Sequence, residues 1–216
     1  MVSIIYHVIG LEGCGHHGLE KVIVDIIKQD EYYLSGGVLN KAFSLKFRNK
    51  DNLDIIEKEV KNYIDGKTFL LYIDDSYPSM DNREIETQKN IVKMNEIVNK
   101  YGKIKFIYLK RNIYNAINAH SHFDGGILGH TKKMIEMKKY IEDQMNTLKN
   151  INVEILELNY EDIDNDTGVN ILAKYLDVSI ETVKKSVEKN FKKSKKDYKN
   201  ILDEKIIKEM SEIIDC

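Results

Sequence analysis

The segment from Gly10 to Gly18 has the composition of a loop that binds phosphate. It reads Gly-Leu-Glu-Gly-Cys-Gly-His-His-Gly and lies between a β-branched run and an amphipathic stretch. Glycines let backbone N–H groups converge on an anion, and the start of the next helix adds a partial positive charge. The spacing is that of a P-loop, but His16 and His17 stand where that motif has Lys and Ser or Thr. We therefore expect a bound nucleotide phosphate and little capacity for ATP or GTP hydrolysis.

The loop contains both backbone and side-chain candidates. Cofactor contacts are predicted for Gly13, Cys14, Gly15, His16, His17, Gly18 and Leu19. The imidazoles of His16 and His17 are also candidates for catalysis, and the alternative for each is a solvated side chain at a helix start. Cys14 is expected to fill space, because no base partner for a nucleophilic thiol follows from the sequence. A glycine turn without a ligand is the alternative for the loop as a whole.

Two carboxylates, Asp74 and Asp75, follow the apolar run from Thr68 to Ile73. If a strand ends at Ile73, both emerge at the edge where a substrate would lie, which makes Asp75 the candidate general base. The same arrangement is typical of a strand whose Asp organises magnesium. The alternative is a carboxylate that caps the turn before Pro78.

The elements that must position these residues follow from hydrophobic periodicity. Strands are predicted for Ser3 to Ile9, Phe43 to Phe47, Thr68 to Ile73, Ile104 to Leu109 and Val153 to Leu158. Helices are predicted for Gly18 to Lys28, Asn52 to Ile64, Ile91 to Tyr101, Ile127 to Leu148, Asp166 to Tyr175 and Lys196 to Ile214. The alternation predicts an α/β fold, a three-layer parallel sheet flanked by helices. Ligands of such sheets bind beyond the carboxyl ends of the strands.

Composition limits the classes of partner. The 216 residues predict one domain, 1–216, with a C-terminal helical segment from about 179 to 216. A net charge of -2 gives no long-range attraction to nucleic acid or membranes. The two cysteines, Cys14 and Cys216, argue against a disulfide framework and a structural zinc site, and no metal is expected. The first residues lack a basic leader and a cleavage site, which predicts a cytoplasmic protein.

Three segments together resemble the sulfotransferase family, whose members use 3′-phosphoadenosine 5′-phosphosulfate (PAPS) on a P-loop-like scaffold. Gly13 to His17 occupies the frame in which that family commonly has Lys-Ser-Gly-Thr-Thr. The run from Ile104 to Leu109 leads into Arg111-Asn112, which is similar to the family's strand that ends in an arginine. Val153 to Ile163, with Tyr160-Glu161-Asp162, looks like its strand followed by Tyr-Glu-Asp-Leu.

The resemblance implies PAPS, or its product adenosine 3′,5′-bisphosphate, as cofactor, with Arg111 on the 3′-phosphate. The family's serine eight residues after that arginine is missing, since Ala119 stands there. Ser121 is the candidate to replace it, with Asn118 and His120 as alternatives. The resemblance also places Tyr160 near the adenine. A basic run, Lys192, Lys193, Lys195 and Lys196, either reaches the 3′-phosphate or is a solvated connection.

The implied function is sulfonyl transfer from PAPS to a hydroxyl or amine of a small-molecule or glycan acceptor. Two alternatives stay open at this point. One is a P-loop phosphotransferase of the kinase type, which the missing loop lysine disfavours and the two aspartates favour. The other is a nucleotide-binding module without catalysis. The sequence implies neither the identity of the acceptor nor the oligomeric state.

Overall fold

The computed structural model describes residues 2–33, 53–78, 88–119, 125–194 and 197–215. In these residues the strands are β1 (Ile4–Leu11), β2 (Leu70–Tyr77), β3 (Lys103–Lys110) and β4 (Ile155–Asn159). The helices are α1 (His16–Ile27), α2 (Leu53–Ile64), α3 (Ile91–Val98), α4 (Ile113–Asn118), α5 (Gly126–Asn150), α6 (Asp166–Leu176), α7 (Ile180–Asn190) and α8 (Glu204–Ile214). Two short 3₁₀ turns, Tyr160–Asp162 and Tyr198–Asn200, complete the described elements.

The strands form one parallel sheet in the order β2-β1-β3-β4. Strand β1 lies in the interior of the sheet, and every residue from Ile5 to Leu11 is buried. A strand buried along nearly its whole length is typical of a parallel sheet covered by helices on both faces. The carboxyl ends of β1 and β2 are level, because Leu11 is in register with Tyr77. Gly10 is likewise in register with Leu109 of β3, and Lys110 with Asn159 of β4, so the loops after β1, β3 and β4 lie at the same edge.

Helices cover both faces of the sheet. One face carries α1, which packs against β2 and against α7, while α6 packs against α7 and β4. The other face carries α5 and α3, with α8 packed on α5 and α2 on α3. The α/β fold with a parallel sheet between helical layers is thereby confirmed.

Several predicted boundaries change. Strand β2 continues to Tyr77, so the predicted end at Ile73 is wrong. The predicted strand from Phe43 to Phe47 lies outside the described residues. The C-terminal segment contains a separate helix, α7, with the Ser179 side chain accepting from the N–H of Thr182. The last helix begins at Glu204 rather than Lys196, because the side chain of Asp203 caps its start by accepting from the N–H of Lys205.

Among the described helices, none combines the length and the apolar character that crossing a bilayer requires.

Candidate functional site

The loop between β1 and α1 is built on two glycines in the left-handed region. Strand β1 ends at Leu11, and the N–H of Glu12 donates to the carbonyl of Tyr77 at 2.8 Å. Gly13 has a φ of 76° and Gly15 a φ of 93°, values that other residues rarely adopt. The chain therefore turns sharply between the strand and the helix because glycine stands at both positions.

The same two glycines allow close contacts with the elements around the loop. A Cβ at Gly13 would lie 2.2 Å from the carbonyl oxygen of Ala116 in α4. A Cβ at Gly15 would lie 2.4 Å from Cε2 of Tyr160, which follows β4. The loop is thus packed between the segments that follow β3 and β4, and a side chain at either glycine would displace it.

The start of α1 presents backbone donors. The N–H groups of Gly18 and Leu19 donate to the carbonyl of Gly15, at 3.0 and 3.2 Å. Within the described part of the chain, the N–H groups of His16 and His17 have no acceptor. Unpaired N–H groups at a helix start, with the positive end of the helix dipole, form a site for an anion. The loop can therefore bind a phosphate-like group through its backbone.

The side chain of His16 points away from this opening. It is 5% exposed, and its Nδ1 is hydrogen-bonded to Oδ1 of Asp74 in β2. Burial alone would lower the pKa of His16, but Asp74, together with the backbone carbonyls of Leu11 and Gly10, outweighs burial and raises the pKa above the ordinary value. The imidazolium form is therefore favoured, and the ring contacts the neighbouring strand rather than the mouth of the loop.

The other loop side chains differ in exposure. His17 is 95% exposed, 3.8 Å from a carboxylate oxygen of Glu20. Cys14 is buried, and burial raises the pKa of its thiol to about 12, so the thiol is protonated at neutral pH. Leu19 is fully buried in the core and can offer a ligand only its backbone.

Arg111 connects the loop to the end of β3. Its Nη1 donates to the carbonyl of Gly13 at 2.6 Å, and its guanidinium carbon lies 4.3 Å from the centre of the Tyr160 ring. Its Nε is buried and has no hydrogen-bond partner among the described residues. An unpaired buried N–H is costly, and an acceptor on a ligand would satisfy it. Arg111 thus lies beside the anion-binding loop, and its Nε–H is a donor that a ligand could pair with.

An aromatic pair covers one side of the loop. The Tyr160 ring packs on Gly15 and makes an edge contact with Phe191, at a centroid distance of 5.5 Å. The hydroxyl of Tyr160 accepts from the N–H of Ser194 at 2.7 Å. A Cβ at Gly18 would lie 2.9 Å from the Phe191 ring, so this ring also lies against the first turn of α1. The segment after α7 is therefore attached to the loop through Tyr160.

Asp75 lies within β2 and not beyond its carboxyl end. It is 4% exposed, and its carboxylate contacts Nε2 of His7 at 2.6 Å and pairs with the ammonium of Lys89. The longer strand explains this placement, since β2 continues past Asp75 to Tyr77. Its role as general base stays a prediction, and its two buried partners favour a structural role.

His7 and Lys89 contact Asp75 but were not among the predicted site residues. His7 lies within a strand predicted only from its apolar neighbours, and Lys89 precedes a helix as an ordinary charged residue. Neither has a spacing that indicates contact with Asp75. The only available signal was the presence of polar side chains next to otherwise apolar segments.

A cavity of about 410 Å³ opens at the carboxyl ends of β1, β3 and β4. Cys14 and Arg111 line it together with residues of both charges: Lys110, Lys138, Glu142 and Glu161. A second cavity of about 550 Å³ lies at the opposite edge, where Lys105 already donates to the carbonyl of Tyr175 at 2.8 Å. Ligands of parallel sheets bind at the carboxyl edge, so the cavity beside Arg111 is the candidate.

Some predicted positions cannot be placed. Ser121 lies outside the described residues, as do His120 of the same segment and Lys195 and Lys196 of the basic run. Lys193 is described, and its ammonium donates to the carbonyl of Glu161 at 2.6 Å. In the part of the chain that the structure describes, no three metal-ligating side chains form a group.

Comparisons with known proteins support the fold alone. No protein-family model matches the chain, and no curated protein is significantly similar to it in sequence. Among solved structures, the fold is similar to the sulfotransferase domain of the olefin synthase from Synechococcus PCC 7002, with a TM-score of 0.51 and 14% identity. The match covers 96% of this chain and 83% of that domain. The chain therefore has a sulfotransferase-like α/β fold.

Proposed function

We propose that this protein binds PAPS at the carboxyl edge of the sheet and transfers its sulfonyl group to a hydroxyl or amine of a small-molecule or glycan acceptor. The observation that carries the proposal is the meeting of two anion-binding features. The unpaired N–H groups at the start of α1 and the guanidinium of Arg111 meet at the same loop, because Arg111 donates a hydrogen bond to the carbonyl of Gly13. A nucleotide with phosphates at both its 5′ and 3′ positions has two anionic groups for these two features.

The residues present fit such a ligand. The unpaired N–H groups of His16 and His17 would hold the 5′-phosphosulfate, because the left-handed glycines before them and the helix start direct donors toward an anion. Arg111 would hold the 3′-phosphate, and its buried Nε would gain the acceptor that it lacks among the described residues. The adjacent cavity of about 410 Å³ is within the usual size range of ligand pockets.

PAPS, when bound, supplies the sulfonyl group and a phosphate leaving group. The chain's own contribution is to hold both phosphates, to stabilise charge on the leaving group with fixed backbone dipoles, and to limit water at the loop with Tyr160 and Phe191. Donors fixed before the reaction stabilise the developing charge without reorganising.

The geometry favours this proposal over phosphoryl transfer. Kinase-type P-loop enzymes need a loop lysine, a hydroxyl ligand and an Asp that hold the phosphates and magnesium. Here His16 replaces the lysine and is bonded to Asp74, while Asp75 is paired with His7 and Lys89. Both carboxylates of β2 are therefore engaged by cationic or hydrogen-bonding side chains.

The first test measures binding. Calorimetric titration and thermal unfolding would compare adenosine 3′,5′-bisphosphate with adenosine 5′-phosphate, ATP and GTP. A ligand at about 100 times its Kd should add about 2.7 kcal/mol to the free energy of unfolding. We expect Arg111→Ala to weaken adenosine 3′,5′-bisphosphate at least about tenfold more than adenosine 5′-phosphate, because a charged hydrogen bond to the 3′-phosphate is lost.

The matched control is Lys103→Ala, which removes one positive charge from the exposed, opposite end of the same strand. Equal losses for the two ligands would show that Arg111 does not bind the 3′-phosphate. If none of the four nucleotides bound, the proposal would be overturned.

The second test measures turnover. Release of adenosine 3′,5′-bisphosphate from PAPS would be followed with a panel of phenols, alcohols, sugars and amines. Release that depends on an acceptor supports sulfonyl transfer. Binding without release for every acceptor class would favour a nucleotide-binding module.

A further inference from the structure

A hydrogen bond between two side chains joins the start of α1 to β2. His16 is the first residue of the helix, and its Nδ1 is hydrogen-bonded to Oδ1 of Asp74, 58 residues along the chain. His16 is 5% exposed, and the Asp74 side chain is 21% exposed. The pair therefore lies beneath the loop, shielded from most of the solvent.

The imidazole also contacts β1. A Cβ at Gly10 would lie 3.0 Å from Nε2 of His16 and 2.4 Å from the carbonyl oxygen of Leu109. The absence of a side chain at Gly10 is what leaves room for the ring between the strands and the helix. One side chain thus touches the end of β1, the interior of β2 and the first turn of α1.

We propose that His16 and Asp74 form a positioning pair that fixes the direction of the N–H groups at the start of α1, and so sets the affinity of the loop for a phosphate-type anion without touching that anion. This inference rests on the proposed function, because it concerns the same loop. It assigns to His16 a task different from the lysine of a P-loop, whose ammonium contacts the phosphates directly.

The His16–Asp74 pair is linked directly to the backbone donors of the loop. The backbone N–H of His16 is one of the two unpaired donors, so rotation of this residue would redirect the donor itself. The raised pKa of His16 favours an imidazolium bonded to a carboxylate, and charge-assisted bonds of this type are stronger than neutral ones. Breaking the bond would leave a buried imidazole without its partner and would free the helix start to shift.

The variants act on Asp74, which leaves the loop sequence intact. Asp74→Ala removes the acceptor, while Asp74→Asn retains an acceptor and removes the charge. The matched control is Ser76→Ala, two residues on along the same strand and on the same face of the sheet. Calorimetry would measure the Kd of inorganic pyrophosphate and of adenosine 3′,5′-bisphosphate for each protein, and circular dichroism would verify the fold.

We expect Asp74→Ala to weaken both ligands on the order of 10- to 100-fold, the range seen when supporting residues of a binding site are removed. Asp74→Asn should recover part of the affinity, and Ser76→Ala should bind like the original protein. Unchanged affinity in a folded Asp74→Ala protein would overturn the inference. Absence of pyrophosphate and nucleotide binding by the unmodified protein would instead overturn the proposed function.

A measurement on the unmodified protein covers the case in which Asp74→Ala does not fold. Nitrogen-15 NMR would follow the ring nitrogens and the backbone N–H groups of His16 and His17 during a pyrophosphate titration. We expect the backbone signals to shift while the ring nitrogens of His16 keep their positions. A large shift of those ring nitrogens would show direct contact with the anion and would contradict a positioning role.

Discussion

Two histidine–aspartate pairs lie on opposite faces of the sheet, and each includes a carboxylate of β2. His16 and Asp74 lie on the face covered by α1, whereas His7 and Asp75 lie on the opposite face. Asp74 and Asp75 are adjacent in sequence, and successive residues of a strand point to opposite sides. Two neighbouring carboxylates on one strand therefore contact different histidines, one on each face of the sheet.

The two histidines have opposite protonation preferences. Burial and the ammonium of Lys89 lower the pKa of His7 to about 3, so its ring is neutral. Burial also opposes the charged form of His16, but Asp74 raises its pKa above the ordinary value. A histidine–aspartate contact therefore does not by itself determine the charge of the ring. At His7 burial is the larger cause of the lowered pKa, and Lys89, which also pairs with Asp75, lowers it further.

The largest expected effect on stability is at Asp75. Asp75→Ala removes the counter-charge of a buried lysine, and the loss of one partner from a buried ion pair costs about 3–5 kcal/mol. Asp74→Ala should cost less, because the Asp74 side chain is 21% exposed and that of Asp75 only 4%, so solvent can compensate part of the lost interaction at Asp74. Urea denaturation at pH 7 would measure both free energies of unfolding. A loss at Asp74 equal to or above that at Asp75 would remove the distinction between the pairs.

The next effect is on the pH dependence of stability. The folded pKa of His7 lies below the unfolded value of about 6.5, so His7 destabilises the fold as pH falls from about 6.5 toward about 3. The folded pKa of His16 is raised, so its stabilisation is complete below about pH 6.5 and is lost as pH rises through the folded pKa. Each slope is at most about 1.4 kcal/mol per pH unit.

The measurement compares stability curves from pH 4 to pH 9 for the original protein, His7→Gln and His16→Gln. His7→Gln should flatten the acid side, and His16→Gln should flatten the fall above about pH 6.5. Slopes that change on the same side in both variants would contradict the opposite charge states of the two rings.

The smallest expected effect is at His17, which belongs to neither pair. Its side chain is 95% exposed, so His17→Ala should change the free energy of unfolding by no more than about 0.5 kcal/mol. The same variant separates its two predicted roles, since a contact with the nucleotide would lower affinity without lowering stability. Thermal unfolding with and without adenosine 3′,5′-bisphosphate would measure both. A loss of stability as large as that of His16→Gln would show that the first turn of α1 depends on the exposed ring.

The loop and the elements around it could be predicted because their signals are local. Glycines at positions 13 and 15 are needed for left-handed turns, and the β-branched run before them favours a strand. The position of Arg111 at the carboxyl edge followed from the apolar run that precedes it, and β3 indeed ends at Lys110. These features depend on residues within a few positions of one another.

The end of β2 was harder to predict, because polar residues in a strand weaken the hydrophobic signal. Asp74, Asp75 and Ser76 interrupt the apolar run, yet all three pair in register with β1. Pairing with β1 extends β2 as far as Tyr77. The pattern of side chains, in contrast, favoured a turn at these residues. The assignment of Asp75 to the edge of the sheet depended on that missing information.

Local sequence patterns were enough to predict the four described strands, most of the helices other than α4 and α7, the glycine-rich loop, and the arginine that follows a strand. Three contacts could be seen only in the folded chain: His16 turns inward to Asp74, Asp75 lies between His7 and Lys89, and Tyr160 packs on Gly15. Each of them joins residues that are far apart along the chain. Periodicity and turn chemistry act within one element, whereas these contacts depend on which strands become neighbours and in which register.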